Sequence, residues 1–351
     1  MVHRKKPTGE AYKNLVAEYR TLDHQGKINQ AERLGVNPDT VKTWVSEGDT
    51  SPKAAIIKEP PTVRELPAID ITPLPVESTE EGEEVQILLI SDLQAGQQSP
   101  TFNSKVLKQE MINLSDKSLR LCQLHRKMRP IKKLFVLLLG DMIENMNIPI
   151  PNLEELEKVV YDQVFEVAVP ALNNLLVSQL QLFETVEVYA VKGNHGQLEG
   201  KRSLSAKTNW DNFVYKILEL GLKNYKPIKF RIELDNFWQV INILSHKYLL
   251  VHGDQIPAYL GIPYYGVDRR TLRWNVSIPG DWEACFMAHF HVSNYIRPSG
   301  IPIFINGTFA SGTSYPLHRL GLQDDPRQWC LFASPKRGIT AHYEIRVDEK
   351  Y

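Results

Sequence analysis

Five short stretches of this sequence end in side chains suited to holding a divalent cation: Ser91-Asp92-Leu93-Gln94, Gly140-Asp141, Gly193-Asn194-His195, His252-Gly253-Asp254 and His289-Phe290-His291. Carboxylate, amide oxygen and imidazole together suit Mn, Fe, Zn or Ni, and the lack of thiolate argues against a structural zinc knot. Two such ions held a few ångströms apart polarise a phosphoryl oxygen and activate water at neutral pH, the combination that phosphoester hydrolysis needs. Singly, each stretch is weak: Asp and Asn after Gly are common turn residues, and one His on an apolar strand is more often a packed core residue. The ordered set points to chemistry.

That chemistry requires the stretches to meet, and each follows a short apolar run: Val85–Ile90, Leu134–Leu139, Val186–Val191, Tyr248–Val251 and Cys285–Ala288, with a further run at Ile301–Ile305. Amphipathic helical patterns lie between them at Ser104–Met128, Leu153–Leu182 and Thr208–Asn224. The alternation predicts an α/β domain whose sheets are covered by helices, with the first three strands parallel. In open α/β sheets, sites form where loops converge at the carboxyl ends of strands. The C-terminal segment, with Asn306-Gly307-Thr308 and Trp329, reads as closing strands of the second sheet without independent chemistry.

The motif order D-x-(H), GD, GNH, H and HxH, spread over about residues 85–310, resembles the calcineurin-like metallophosphoesterases. The resemblance implies a β-sandwich flanked by helices across residues 85–351. It also implies two divalent metal ions, Mn foremost, with Fe, Mg, Zn or Ni as alternatives. Carried over residue by residue, it gives Asp92 and His291 to the first metal, Asn194, His252 and His289 to the second, and Asp141 as the bridge. His195 would sit over the phosphate and stabilise it or protonate the leaving oxygen, making His195 and Asp141 the catalytic pair. Gln94 stands where the family usually has His. As a weaker, neutral ligand it implies looser binding at the first site, with a harder metal such as Mn or Mg, partial occupancy or lost activity as the outcomes. Glu144 either orients a ligand or is simply exposed.

Upstream, Tyr12, Leu15, Val16, Tyr19 and Leu22 give residues 10–25 one apolar helical face. Residues 28–44 then read as two short helices about a tight turn, with Ala31 at the crossing, Gly35 in the turn and Asp39 or Thr40 as cap. Val36, Val41 and Trp44 would fill the shared core. The spacing of Ala31, Gly35 and Val41 resembles the helix-turn-helix of transcription regulators and of phage and transposon proteins. If so, residues 39–47 are the recognition helix, with Asn37, Thr40, Lys42 and Thr43 able to face a groove; a helical hairpin docked on its neighbour is the alternative. This small all-α domain occupies residues 1–50, and a Pro-rich, acidic linker follows at 51–84.

The 351 residues carry no net charge, so any polyanion must be met by a local basic surface. Arg269, Arg270 and Arg273 after His252-Gly253-Asp254, and Lys201, Arg202 and Lys207 after the GNH loop, are candidates for contacting a nucleic-acid backbone, or are solvated faces. Tyr264 and Tyr265, in an aromatic-rich loop, can stack on a base or pack in the core. Three widely spaced cysteines and the absence of a long apolar run fit a reducing, cytoplasmic setting with no membrane partner.

A helix-turn-helix ahead of a phosphoesterase domain also resembles phage and prophage proteins related to the SbcD-type repair nucleases. That resemblance implies DNA as the partner, the bacterial or phage-infected cell as the setting, and a homodimer and an SbcC-like ATPase as further candidate partners. A DNA nuclease is the leading expectation. A phosphomonoesterase or cyclic-nucleotide phosphodiesterase, and a catalytically weak DNA-binding accessory protein, are the alternatives.

Overall fold

Every residue of strand β1 (Glu84–Ile90) is buried, and the period-two alternation of a strand sends its side chains into two different cores. Val85, Ile87 and Leu89 meet Leu137, Leu250, Phe286 and Phe304, whereas Leu88 and Ile90 meet Leu107, Met111, Leu172 and Val214. A strand covered by a second sheet on one face and by helices on the other is largely apolar, and its buried Gln86 is tolerated because its Nε2 donates to Ser118. The computed structural model describes residues 6–47, 83–146, 155–198, 208–233, 235–257, 264–312 and 325–349. The chain divides into two units, residues 1–74 and 75–351. Most of the expected linker lies outside the described residues.

In the larger unit, β1 lies parallel to β2 (Ile131–Leu138), β2 to β3 (Thr185–Ala190) and β3 to β4 (Ile228–Phe230). The second sheet has the order β5 (Trp238–Ile243), β6 (His246–Val251), β7 (Ala284–Met287), β9 (Ile303–Ile305), β8 (Asn294–Ile296), with β6, β7 and β9 parallel. Helix α4 (Ser104–His125), α5 (Val160–Asp162), a π turn (Gln163–Ala168) running on into α6 (Val169–Gln179), and α7 (Trp210–Gly221) contribute to the core outside the first sheet. Helix α8 (Tyr264–Ser277) packs Val267 and Trp274 against Leu249, Cys285 and Met287 of the second sheet. The result is the mixed α/β architecture the sequence predicts, sheets flanked by helices.

Two expectations are corrected. The closing strands β10 (Arg327–Ser334) and β11 (Gly338–Arg346) join the first sheet, β10 running antiparallel to β1. Leu331 and Ala333 supply the core between the sheets while Cys330 and Phe332 face the helices, so β10 needs the same two-sided cover as β1. The stretch after Tyr264, read as a loop, is helical because Val267, Thr271 and Trp274 recur at the spacing that buries one stripe.

The smaller unit holds helices α1 (Gly9–Thr21), α2 (His24–Leu34) and α3 (Pro38–Glu47) around Leu15, Ala31, Val41 and Val45. Gly35 ends α2 in the left-handed conformation at φ 62°, its N–H returning to the Ala31 and Glu32 carbonyls. The cap of α3 is Asn37, not Asp39 or Thr40: its Oδ1 accepts the Asp39 N–H at 2.8 Å, and Pro38 takes the first helical position, where its missing N–H is harmless.

Candidate metal centre

The parallel strands end abreast. Ile90 pairs with Leu138 and Leu138 with Ala190, while in the second sheet Leu250 pairs with Phe286 and Phe286 with Phe304. The loops beyond are fastened by main-chain bonds, Asp92 N–H to Gly140 O at 3.1 Å, Gln94 N–H to Asp141 O at 3.1 Å and Phe309 N–H to Asp92 O at 3.2 Å. Five of the expected ligands have left-handed backbones, with φ of 50° at Asp92, 43° at Gln94, 57° at Asp141, 77° at His289 and 61° at His291. Such conformations cost about 1–3 kcal/mol each for residues with a Cβ and persist only where the surroundings enforce them.

The enforced geometry brings the ligands together. His252 is fully buried, and its Nδ1–H donates to Leu139 O at 2.7 Å, leaving the Nε2 lone pair facing inward. That Nε2 lies 3.0 Å from Asp141 Oδ2 and 3.0 Å from Asn194 Oδ1. One ligand atom each from Asp141, His252 and His289 falls within 4.8 Å of the others. On the other side, His291 Nε2 is 3.4 Å from Asp92 Oδ1 and 3.0 Å from Gln94 Nε2. The oxygens Asp92 Oδ1, Gln94 Oε1 and Asp141 Oδ2 are buried, and the two carboxylate oxygens face the imidazoles of His291 and His252. Buried oxygens so placed are costly without a compensating positive charge, and cations at this point would satisfy all three. The donor set, oxygens with imidazole nitrogens and no sulfur, fits divalent metal ions.

The titratable groups of the cluster perturb one another. Burial alone would raise the Asp141 carboxyl, but His252 and His195 beside it hold it below the usual carboxylate range. Burial would depress His252, yet Asp141 pushes it up to about 10, while burial and the neighbouring His252 bring His289 down to about 3. A cation held by these residues would compete with the proton on His252.

His195 stands at the rim, its side chain 23% exposed against none for Asp141. Its main-chain N–H donates to Asp141 Oδ1 at 2.8 Å, and its Nδ1 lies 3.2 Å from Glu144 Oε2. Glu144 is buried, which removes the exposed reading, and its carboxylate lies against His195 rather than against an expected ligand. Burial opposes the charged ring, but Glu144 and Asp141 raise His195 well above its ordinary value.

Several positioning residues carried no sequence signal. Asn145 donates through Nδ2 to the carbonyls of His195 at 2.7 Å and Gln197 at 2.8 Å, and Gln163 in the π turn accepts the Asn145 N–H at 2.7 Å. Thr308 Oγ1 donates to Asp92 O at 3.1 Å, and Asn306 donates to Ser91 Oγ at 2.9 Å. A buried Asn or Gln is indistinguishable from an exposed one in sequence; the only available hint was the polar Asn306-Gly307-Thr308 after an apolar strand.

None of the other expected contacts is among the residues of this cluster, and some fall outside the described residues. Arg269 and Arg273 are exposed and Arg270 half-buried on α8. Tyr264 and Tyr265 are exposed at its start, Tyr264 accepting from Asn294 Nδ2 at 3.0 Å. Lys201, Arg202 and Lys207 fall outside the described residues. On α3, Lys42 and Thr43 are exposed and Thr40 half-buried, while the Asn37 side chain serves the cap. Among the described residues no helix is long and apolar enough to cross a membrane.

Comparison with known proteins agrees with this geometry. No curated protein matches the sequence. Among solved structures, an archaeal phosphodiesterase is similar at 11% identity and a TM-score of 0.35, covering 74% of this chain and 98% of its own. Zinc-bound Vps29 from Entamoeba histolytica is similar at 14% identity and a TM-score of 0.32, with the same coverages of 74% and 98%. A predicted phosphoesterase of Streptococcus pneumoniae is similar at 11% and 0.30, covering 75% and 97%. At such scores these likenesses add no argument of their own. The family model for calcineurin-like phosphoesterases, however, matches residues 85–311, well over half of the chain and spanning every residue of the centre. The chain belongs to the calcineurin-like phosphoesterase family, whose members are metal-dependent hydrolases of phosphoesters.

Proposed function

We propose that this protein is a phosphodiesterase acting on DNA, with the metal centre formed by Asp92, Gln94, Asp141, Asn194, His252, His289 and His291. The observation that carries the hydrolytic reading is the convergence of the buried oxygens of Asp92, Gln94 and Asp141 on the imidazoles of His252, His289 and His291. Two bound divalent cations, Mn foremost, would supply phosphoryl polarisation and water activation there. The residues of the chain do the rest. Asp141 spans the two halves of the site, and His195, held by Glu144, delivers its proton to the leaving oxygen.

The choice of DNA draws on the smaller unit. A three-helix unit with exposed Lys42 and Thr43 on its third helix has the chemistry of a major-groove reader. Joined to a phosphodiesterase in one chain, it raises the substrate concentration at the centre without a new contact there. The exposed Arg269 and Arg273 supply charge for a phosphate backbone.

Mn-dependent turnover of linear DNA, bis-p-nitrophenyl phosphate and mono-p-nitrophenyl phosphate tests the proposal. Cleavage of DNA and of the diester is expected; activity confined to the monoester overturns it in favour of a phosphomonoesterase. A second reading has one observation behind it: the Gln94 amide nitrogen is engaged at 3.0 Å by His291, which weakens the first metal position. Under that reading the protein is a DNA-binding accessory, and elemental analysis would find less than two metal ions per chain with DNA bound but uncut.

A further inference from the structure

Asp211 lies in the first turn of α7, outside every motif of the centre, yet its side chain ties two ligand loops to each other. Its carboxylate is fully buried. Oδ2 accepts the N–H of Asp141 at 3.0 Å and of Gly193 at 2.7 Å, and Oδ1 accepts the N–H of Met142 at 2.9 Å. One partner is the bridging ligand itself, and another immediately precedes the ligand Asn194. Bonds to a carboxylate acceptor are the strong ones; two of them here fix the loop in which Asp141 holds φ 57°, and the third ties that loop to Gly193.

The helix end that presents Asp211 is itself held in place. Asn209 caps α7, its Oδ1 accepting the Asp211 N–H at 2.8 Å, while its Nδ2 donates to Gly193 O at 2.9 Å. The Trp210 N–H donates to Gly196 O at 2.7 Å. One end of α7 therefore grips the GNH loop from both its N–H and its carbonyl and reaches across to the Asp141 loop.

We infer that Asp211 is a positioning residue of the metal centre: by binding the main chains of Asp141, Met142 and Gly193 it sets the spacing at which Asp141 and Asn194 reach one cation. The inference rests on the metal-centre reading above. Ligand-orienting partners of this kind change metal affinity by about 10–100-fold when removed.

The test is Asp211→Asn in the full chain. The substitution keeps the shape but turns one terminal oxygen into a donor facing an incoming N–H. Calorimetric titration with Mn2+ is expected to show affinity about 10–100-fold weaker than wild type. At saturating Mn2+, kcat for bis-p-nitrophenyl phosphate should recover with KM unchanged. Asn113→Ala serves as the stability control: it removes a buried bond to Val347 O of 2.8 Å, far along α4, and lowers Tm without moving Mn2+ affinity. Affinity of folded Asp211→Asn within about twofold of wild type overturns the inference, because it falls outside the range for a ligand-orienting partner. Should Asp211→Asn fail to fold, Asp211→Ser carries the same test: its single short hydroxyl cannot accept from the N–H groups of Asp141, Met142 and Gly193 together, so weaker Mn2+ binding supports the inference and unchanged binding overturns it. Wild type that binds no Mn2+ removes the metal-centre reading and this inference together, whereas wild type that binds two ions beside an unaffected Asp211→Asn removes this inference alone.

Discussion

Gly193→Ala is the smallest change that should disable the centre. A Cβ added at Gly193 would lie 2.0 Å from Asp141 Oδ1 and 2.5 Å from Asp141 N, where real Cβ contacts stay above 3.0 Å. The nearest obstacles are the bridging carboxylate and its own backbone, so no flexible side chain can swing aside. Relief requires the two loops to separate by about 1 Å, which stretches the 2.7 Å bond from Gly193 N–H to Asp211 and the 2.8 Å bond from His195 N–H to Asp141 beyond useful range. Metal–ligand distances tolerate only about 0.2 Å, so Asp141 and Asn194 would no longer reach one cation together. We expect kcat/KM for bis-p-nitrophenyl phosphate to fall about 100-fold, the typical effect of a misplacement of this size. Overpacking should cost about 1–3 kcal/mol, leaving the protein folded with a Tm lower by several degrees. Circular dichroism, Mn2+ calorimetry and steady-state kinetics on one preparation decide the matter. A folded variant with wild-type Mn2+ affinity and turnover would refute the reasoning, since the loops would then have to separate without consequence.

Three further outcomes are expected. Gln94→His should tighten metal binding at the first position, on the order of tenfold, and raise the metal content found by elemental analysis; no change in content or rate means position 94 holds no metal. His195→Ala should lower kcat by about 10²–10⁴-fold while metal content stays at the wild-type level, and a loss confined to KM would remove His195 as proton donor. Glu110 is buried on α4, where burial and Asp348 push its carboxyl from 4.5 up to about 8. The proton is thus favoured in the folded state, so the contribution is full below pH 4.5 and is lost as pH rises through about 8. A tenfold gain in proton affinity on folding is worth about 1.4 kcal/mol, so wild type should lose a few kcal/mol across that window. Glu110→Gln should flatten the loss, and denaturant unfolding at pH 5 and pH 8 would expose an error if both proteins declined alike.

The sequence alone determined which residues are present for chemistry and where along the chain they fall. Strands and ligands were legible together because a strand buried on both faces is largely apolar, and its end is marked by the first Asp, Asn or His. The helices of the first sheet were legible for a similar reason, through the spacing of their buried positions. The strands β4, β5 and β8 were not, since none of them is a continuous apolar run, and α8 was missed because its single apolar stripe is interleaved with exposed Tyr265, Arg269 and Arg273.

Only the tertiary structure decided how the ligands are aimed. That β10 borders β1, that Asp211 grips two loops, and that Glu144 is buried behind His195 depend on contacts between residues far apart in sequence. A carboxylate, or an amide, reads the same in a sequence whether it faces water or receives three main-chain N–H groups, because the difference lies in what the rest of the fold places around it.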